Sequence, residues 1–315
     1  MELDYVALGR AGPLVSVMGL GCGGRSRLGL RRGTTEQESV GLVRRALGLG
    51  INLFDTAESY GTERILGQAL RHEPRETIVI STKKSSMNNG RPVSAADIRP
   101  ALEASLRRLG LDYVDIYHVH GLAPRHYDYA VNELVPELLA LRDEGKLRLL
   151  GVTEPFSRDP RHEMLRRAVQ DGCWDVVMVG FNILNQSARE HVLAATRKKG
   201  IGTLAMFALR RALSDLAHLR AALADLRKRR LIDARLLGQD DGLGFLIRDG
   251  GAANLQDAAY RFCRYEPGVD VVLSGTGRVG HLERNAASVS GPPLQPEVVA
   301  RLREIFARVS DVSGN

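Results

Sequence analysis

Four side chains in the first 120 residues carry chemistry that becomes useful when they meet: Asp55, Tyr60, Lys83 and His120. Asp55 closes the run I-N-L-F-D, Tyr60 follows in D-T-A-E-S-Y-G, Lys83 follows T-I-V-I-S-T, and His120 closes V-D-I-Y-H-V-H. A free tyrosine titrates near a pKa of about 10 and needs a neighbouring cation before it exchanges protons well at neutral pH. Lys83 supplies that charge, Asp55 holds it protonated and aimed, and His120 is placed to hydrogen-bond and polarise a carbonyl oxygen. Singly, such residues are usually caps, packing or solvated charge. Together and in strand order they read as a proton relay.

His118 and His120 form an H-x-H, and residues two apart on a strand face the same way, which invites a metal. Metal-dependent barrel hydrolases then need further histidines and usually a carboxylate at later strand ends. The corresponding positions here are Thr153, Phe181, Phe207 and Ser274. No metal is expected, and His118 is expected to shape the pocket beside His120.

Positioning such a set requires strands that end together. Short β-branched runs predict strands at 17–21, 51–55, 77–82, 114–119, 147–152, 175–180, 201–206 and 270–274. Apolar residues at helical spacing predict helices at 35–49, 61–71, 94–109, 128–144, 160–171, 188–199 and 252–264. Eight strands alternating with helices is the (β/α)₈ TIM barrel count, an α/β fold with its site at the C-terminal strand ends. Thr34 and Thr35 before Glu38, and Ser94 before Asp97, have capping-box spacing. Gly50, Gly145, Gly172 and Gly200 stand where left-handed helix ends are wanted. Two additions are predicted: an N-terminal β-hairpin turning at Arg10 to Pro13, and a long loop after strand 7, from about residue 207 to 250, that contains the helix-like run L-S-D-L-A-H-L-R-A-A-L-A-D-L-R-K-R-R and is a candidate lid.

The chain of 315 residues suits one barrel domain over 1–315, since single barrels run well past 200 residues. Its net charge of +7 is carried by dispersed arginines without interleaved aromatics, which argues against nucleic acid. Cys22, Cys173 and Cys263 show no C-x-x-C, so neither a disulfide framework nor a cysteine metal site is suggested, and a reducing cytoplasmic setting is expected. No leader-like start or long apolar run points to export or to a membrane.

At this point the sequence resembles the aldo-keto reductase family over nearly its whole length. L-G-R-A-G-P-L-V-S, I-N-L-F-D-T-A-E-S-Y-G-T-E-R-I-L-G-Q-A-L, V-I-S-T-K, L-D-Y-V-D-I-Y-H-V-H, G-V-T and S-G-T-G-R-V-G-H-L-E-R-N occur in the family order. The resemblance implies a (β/α)₈ fold, a nicotinamide dinucleotide lying across the barrel mouth, and a tetrad of Asp55, Tyr60, Lys83 and His120. It implies an NAD(P)H-dependent oxidoreductase that reduces an aldehyde or ketone, or oxidises the alcohol or sugar, with Tyr60 as general acid or base. Family members commonly grip the nicotinamide amide with Ser-Asn after the fifth strand and Gln on the sixth, where this chain has Thr153-Glu154 and Met178. A stacking Tyr after the seventh strand is replaced by Met206 or Phe207. At the phosphate end Gly275, Thr276, Gly277, Arg278, His281 and Asn285 lie on a loop entering a helix, where N–H groups and the dipole favour anions. Arg278 is placed to pair with a 2′-phosphate, so NADPH is expected over NADH. The family's usual Arg and Glu are absent at His281 and Arg284. Arg210 or Arg211 is expected near the pyrophosphate.

Two other readings stay open on the residues alone: a nicotinamide-binding regulatory barrel with little catalysis, favoured by the altered Thr153, Glu154 and Met178, and a metal-dependent barrel hydrolase. The partner is expected to be a small carbonyl compound; the substrate, the reaction direction and the oligomeric state are not written in the sequence.

Overall fold

The computed structural model describes residues 3–88, 90–238 and 243–315. Strands β1 (Tyr5–Ala7) and β2 (Leu14–Ser16) form the antiparallel hairpin, with Val6 opposite Val15. The barrel strands are β3 (Met18–Gly21), β4 (Leu53–Asp55), β5 (Val79–Ser85), and, after a small external ladder of β6 (Met87–Asn88) and β7 (Arg91–Pro92), β8 (Val114–His120), β9 (Leu147–Thr153), β10 (Val176–Gly180), β11 (Gly202–Met206) and β12 (Val271–Ser274). They close in the order β10-β11-β12-β3-β4-β5-β8-β9, and every barrel pair is parallel.

Parallel strands covered by helices are buried on both faces, which is why their sequences read as apolar runs. Inward positions Leu53, Val79, Ile116, Leu149, Val176, Met178, Leu204 and Val271 fill the lumen, and Leu8 and Val15 of the hairpin join the same cluster. Outward positions pack under the helices α1 (Glu36–Gly48), α2 (Glu63–Leu70), α3 (Ile98–Leu109), α4 (Tyr127–Tyr129), α5 (Val135–Asp143), α6 (Glu163–Asp171) and α7 (Ala194–Lys199). Each fully buried leucine in this layer contributes about 1.5–3 kcal/mol. The punctuation is as expected: Thr35 and Ser94 form capping boxes with Glu38 and Asp97. Gly50, Gly145, Gly172 and Gly200 take φ of 86°, 77°, 73° and 71°.

Two features differ from the sequence reading. The stretch at 128–144 is not one regular helix but contains a π-turn at Ala130–Leu134 just before Pro136, which lacks an N–H and whose ring crowds the preceding turn. The helices α13 (Val279–Val289) and α14 (Pro296–Phe306) follow the last strand, and α14 went unrecognised although Val298, Leu302, Ile305 and Phe306 are its buried stripe. The long segment after the seventh strand carries a helix over the helix-like run, as expected. It folds as α8 (Arg211–Ser214), α9 (Leu216–Lys228), α10 (Ala234–Leu237) and α11 (Phe245–Arg248), ahead of α12 (Leu255–Arg264).

That segment is anchored to the rest of the fold. Leu219, Leu223 and Leu226 of α9 are buried, Arg229 pairs with Asp311, and Arg301 of α14 donates to Leu236 O at 2.8 Å while its guanidinium lies 4.1 Å from the Phe245 ring centroid. The apolar stripe and these cation contacts bind it to α14 and the C-terminal tail. Residues 239–242, part of the expected lid, lie outside the described residues.

Candidate active site

The four relay residues converge at the C-terminal ends of β4, β5 and β8. Lys83 is fully buried and uses its ammonium on Asp55 Oδ1 (2.6 Å), Asp55 Oδ2 (2.7 Å) and the Thr56 carbonyl (2.6 Å). Ser81 Oγ also donates to Asp55 Oδ1 at 2.7 Å. A buried ion pair persists only when its remaining hydrogen-bonding capacity is met, and here each ammonium proton has an acceptor.

Tyr60 ends a short 3₁₀ turn at Glu58–Tyr60, closed by Gly61 at φ 75°. Its hydroxyl lies 3.3 Å from His120 Nε2, with the rings edge to face at 5.7 Å between centroids. Gly23 makes room for the ring, since a Cβ there would sit 2.3 Å from Tyr60 Cε2. Glu58, which sequence reading passed over, holds this turn to β5 by pairing with Lys84 at 3.1 Å and accepting from Ser85 N at 3.2 Å.

Lys83 does not hydrogen-bond the Tyr60 hydroxyl; its three protons are committed, and Nζ lies 5.3 Å from the ring centroid. It acts on Tyr60 through its field, and that field is outweighed: burial raises the Tyr60 pKa, Lys83 opposes it, and the net direction is upward. Burial, then Lys83, pushes His120 down to about 3, so its imidazole is neutral. His118 is fully buried against Gly151, neither ring nitrogen has a partner, and burial with Lys83 holds it well below the ordinary value. Among the described residues no three His, Cys, Asp or Glu side chains converge on a metal position.

At the expected nicotinamide end, Thr153 Oγ1 accepts from Gly121 N at 2.8 Å and keeps its own proton free to donate. Glu154 has other work. Its carboxylate accepts from Gly180 N at 2.7 Å and pairs with His162 Nδ1 at 2.9 Å, fully buried, so it ties β9 to β10. His162, in left-handed backbone at φ 59°, is a residue the sequence reading missed. It stacks on Phe156, Phe156 on Phe207, and the Arg210 guanidinium lies 3.8 Å from the Phe207 centroid. Phe207 itself takes φ 67°, a strained setting for a bulky residue. Met178 is buried in the lumen cluster and Met206 packs against it.

Arg210 also donates to Ser157 Oγ at 2.9 Å, while its Nε has no partner. Arg211 opens α8. At the phosphate end, Gly275 is exposed, Thr276 Oγ1 accepts from Arg278 N at 3.2 Å, and Asn285 Nδ2 donates to Ser274 Oγ at 2.9 Å. Arg278 is the N-cap of α13 with no side-chain cap bond; His281 N donates to the Arg278 carbonyl at 3.1 Å, and the Val279 and Gly280 N–H groups are left open to an anion. His281, exposed on that turn, is pushed down by partial burial and by Arg284, Arg278 and Arg32 around it.

A family model described as the Aldo/keto reductase family matches residues 18–307. L-galactose dehydrogenase of Arabidopsis thaliana is 36% identical over 210 residues, which are 64% of this chain and 64% of that protein. The NADH-specific methylglyoxal reductase of Escherichia coli (strain K12) is 35% identical over 48% of this chain and 50% of its own length. The solved holo form of an aldo-keto reductase from Bacillus halodurans superposes with a TM-score of 0.72 over 96% of both chains at 22% identity, a likeness of fold.

Proposed function

The chain belongs to the aldo-keto reductase family of NAD(P)-dependent oxidoreductases, and on that premise we propose that it reduces an aldehyde or ketone with Tyr60 as proton donor and NADPH as the preferred cofactor. The observation that carries the reading is the Tyr60 hydroxyl 3.3 Å from a neutral His120, beside a Lys83 charge pinned by Asp55. A bound dinucleotide would supply the hydride. His120 orients the carbonyl oxygen toward Tyr60, and Tyr60 passes its proton to that oxygen as the alkoxide charge develops. In the reverse direction the same tyrosine, deprotonated, takes the proton from an alcohol.

The residues present fit the cofactor. Arg278 would pair with the 2′-phosphate beside the open first turn of α13, with Gly275, Thr276, His281 and Asn285 around it. The unpartnered Nε of Arg210 suits a pyrophosphate oxygen. Thr153 would donate to the nicotinamide amide, Met178 and Met206 would floor the ring, and Phe207 would replace the stacking tyrosine. Glu154 acts behind them, through Gly180. The three free thiols suit a cytoplasmic setting.

Fluorescence titration with NADPH and NADH separately, on wild type and Arg278→Ala, tests the reading. The variant should lose affinity for NADPH by roughly ten-fold or more and for NADH much less, since a charge-assisted contact contributes about 1.5–3 kcal/mol. Equal losses would assign Arg278 to the pyrophosphate. Tight binding with no turnover of any carbonyl or alcohol would return the regulatory-barrel reading.

A further inference from the structure

The loop after β3, C-G-G-R-S-R-L-G-L-R-R-G, brings four arginines to the barrel mouth region. Gly23 lies on the Tyr60 ring, and Arg27 N donates back to Gly23 O at 3.2 Å, so the turn that carries Arg27 is built onto the face of the proposed proton donor. Arg27 and Leu28 take φ of 45° and 57° in succession. Two consecutive non-glycine residues in left-handed backbone are strained, and such strain persists where the surroundings hold a segment in place. The held side chain is half-buried and cationic, and its charge is the smaller of two, after Lys83, that oppose the rise of the Tyr60 pKa.

No carboxylate among the described residues pairs with Arg27. The carboxylates nearest the relay are engaged elsewhere: Asp55 with Lys83, Glu58 with Lys84, Glu154 with His162. The anions of a dinucleotide already have cations of their own. Arg25 lies near enough to Arg210 to help burial push that guanidinium down to about 10, a like-charge pair that suits a pyrophosphate. Arg278, Arg284 and Arg32 surround His281 at the other end.

Building on the reductase reading above, we propose that Arg27 binds an acid group of the substrate, so that the preferred substrate is a carbonyl compound bearing a carboxylate or phosphate. The anion is held by Arg27 while the carbonyl meets Tyr60 and His120.

The test compares kcat/KM for succinic semialdehyde and for butanal, which differ by the terminal carboxylate, in wild type and Arg27→Gln. Wild type should favour the acid aldehyde by roughly ten-fold or more, and the variant should lose most of that ratio, as expected for removing a charge-assisted contact. The ratio cancels any effect of Arg27 on Tyr60 that both aldehydes share. A wild-type ratio near one, or a ratio unchanged in the variant, overturns the proposal. NADPH titration of both proteins separates the two possible anions: a ten-fold loss of NADPH affinity in the variant with the ratio kept would give Arg27 to the cofactor. Calorimetric titration with succinate is independent of turnover. Binding that is lost in Arg27→Gln supports the anion site even if neither aldehyde is reduced, and no binding to wild type refutes it even if butanal is.

Discussion

Tyr60 keeps its proton to higher pH than a free tyrosine because burial outweighs the opposing Lys83 charge. Such a residue stays protonated at neutral pH, so its proton is in place for carbonyl reduction, and it is a poor base for alcohol oxidation until the pH rises. Tyr60→Phe should remove turnover by about 10² to 10⁴ while dinucleotide affinity stays within a few-fold, since the hydroxyl gives a proton and holds no cofactor. A variant keeping more than a tenth of wild-type activity would end the assignment. Lys83→Met takes away the one strong influence holding the tyrosine pKa down, so the residual oxidation profile should move to higher pH; an unshifted profile contradicts the field role. His120, pushed down to about 3, should add no limb to the reduction profile between pH 5 and 8.

At the scale of elements, Gly180 at the end of β10 is the point where three elements meet. Its N–H holds Glu154 of the loop after β9, and its missing side chain leaves the space filled by Phe156, whose Cγ would lie 2.2 Å from a Cβ there. Gly180→Ala should push Phe156 into Phe207 and Arg210, costing about 1–3 kcal/mol by overpacking, and should weaken dinucleotide binding as well. Urea unfolding and NADPH titration read the two effects; wild-type values in both would mean the stack yields freely. The strands and the four side chains that converge at their ends were legible in the sequence because each is local: a β-branched run, a glycine stop, a polar residue at a strand end. The Glu154–His162 pair was not, since it joins residues eight apart through a left-handed backbone, and the fit of Phe156 over Gly180 exists only once β9 and β10 are paired. Nor does spacing reveal that Gly23 brings the Arg27 turn onto Tyr60. The length and the helical run of the long segment were visible in the sequence for the same reason; its anchors on Asp311 and α14 were not.

The whole molecule carries these buried imidazoles in a chain of net charge +7, so acid titration works against both its charge balance and its barrel interior. His118 and His120 sit on one face of β8 beside Lys83, both with depressed pKa values, burial being the larger cause and the lysine the next. In the unfolded chain each titrates near pH 6.5. The sign follows from linkage: above that pH both states bind no proton at these sites and the full stability is present. As pH falls below about 6.5 the unfolded state takes up protons that the native state refuses, so stability is lost by about 1.4 kcal/mol per pH unit for each histidine. The loss continues until the native values are reached, about 3 for His120. Urea midpoints at pH 7.5 and pH 5 should therefore differ, and His118→Gln, which cannot titrate, should show a smaller difference by about 2 kcal/mol. The comparison uses the pH dependence alone, so a variant that is weaker at both pH values still decides the matter. An identical pH dependence in both proteins would mean that His118 takes up its proton at the same pH in the native barrel as in the unfolded chain, and its place beside the buried Lys83 would then need an anion to explain it.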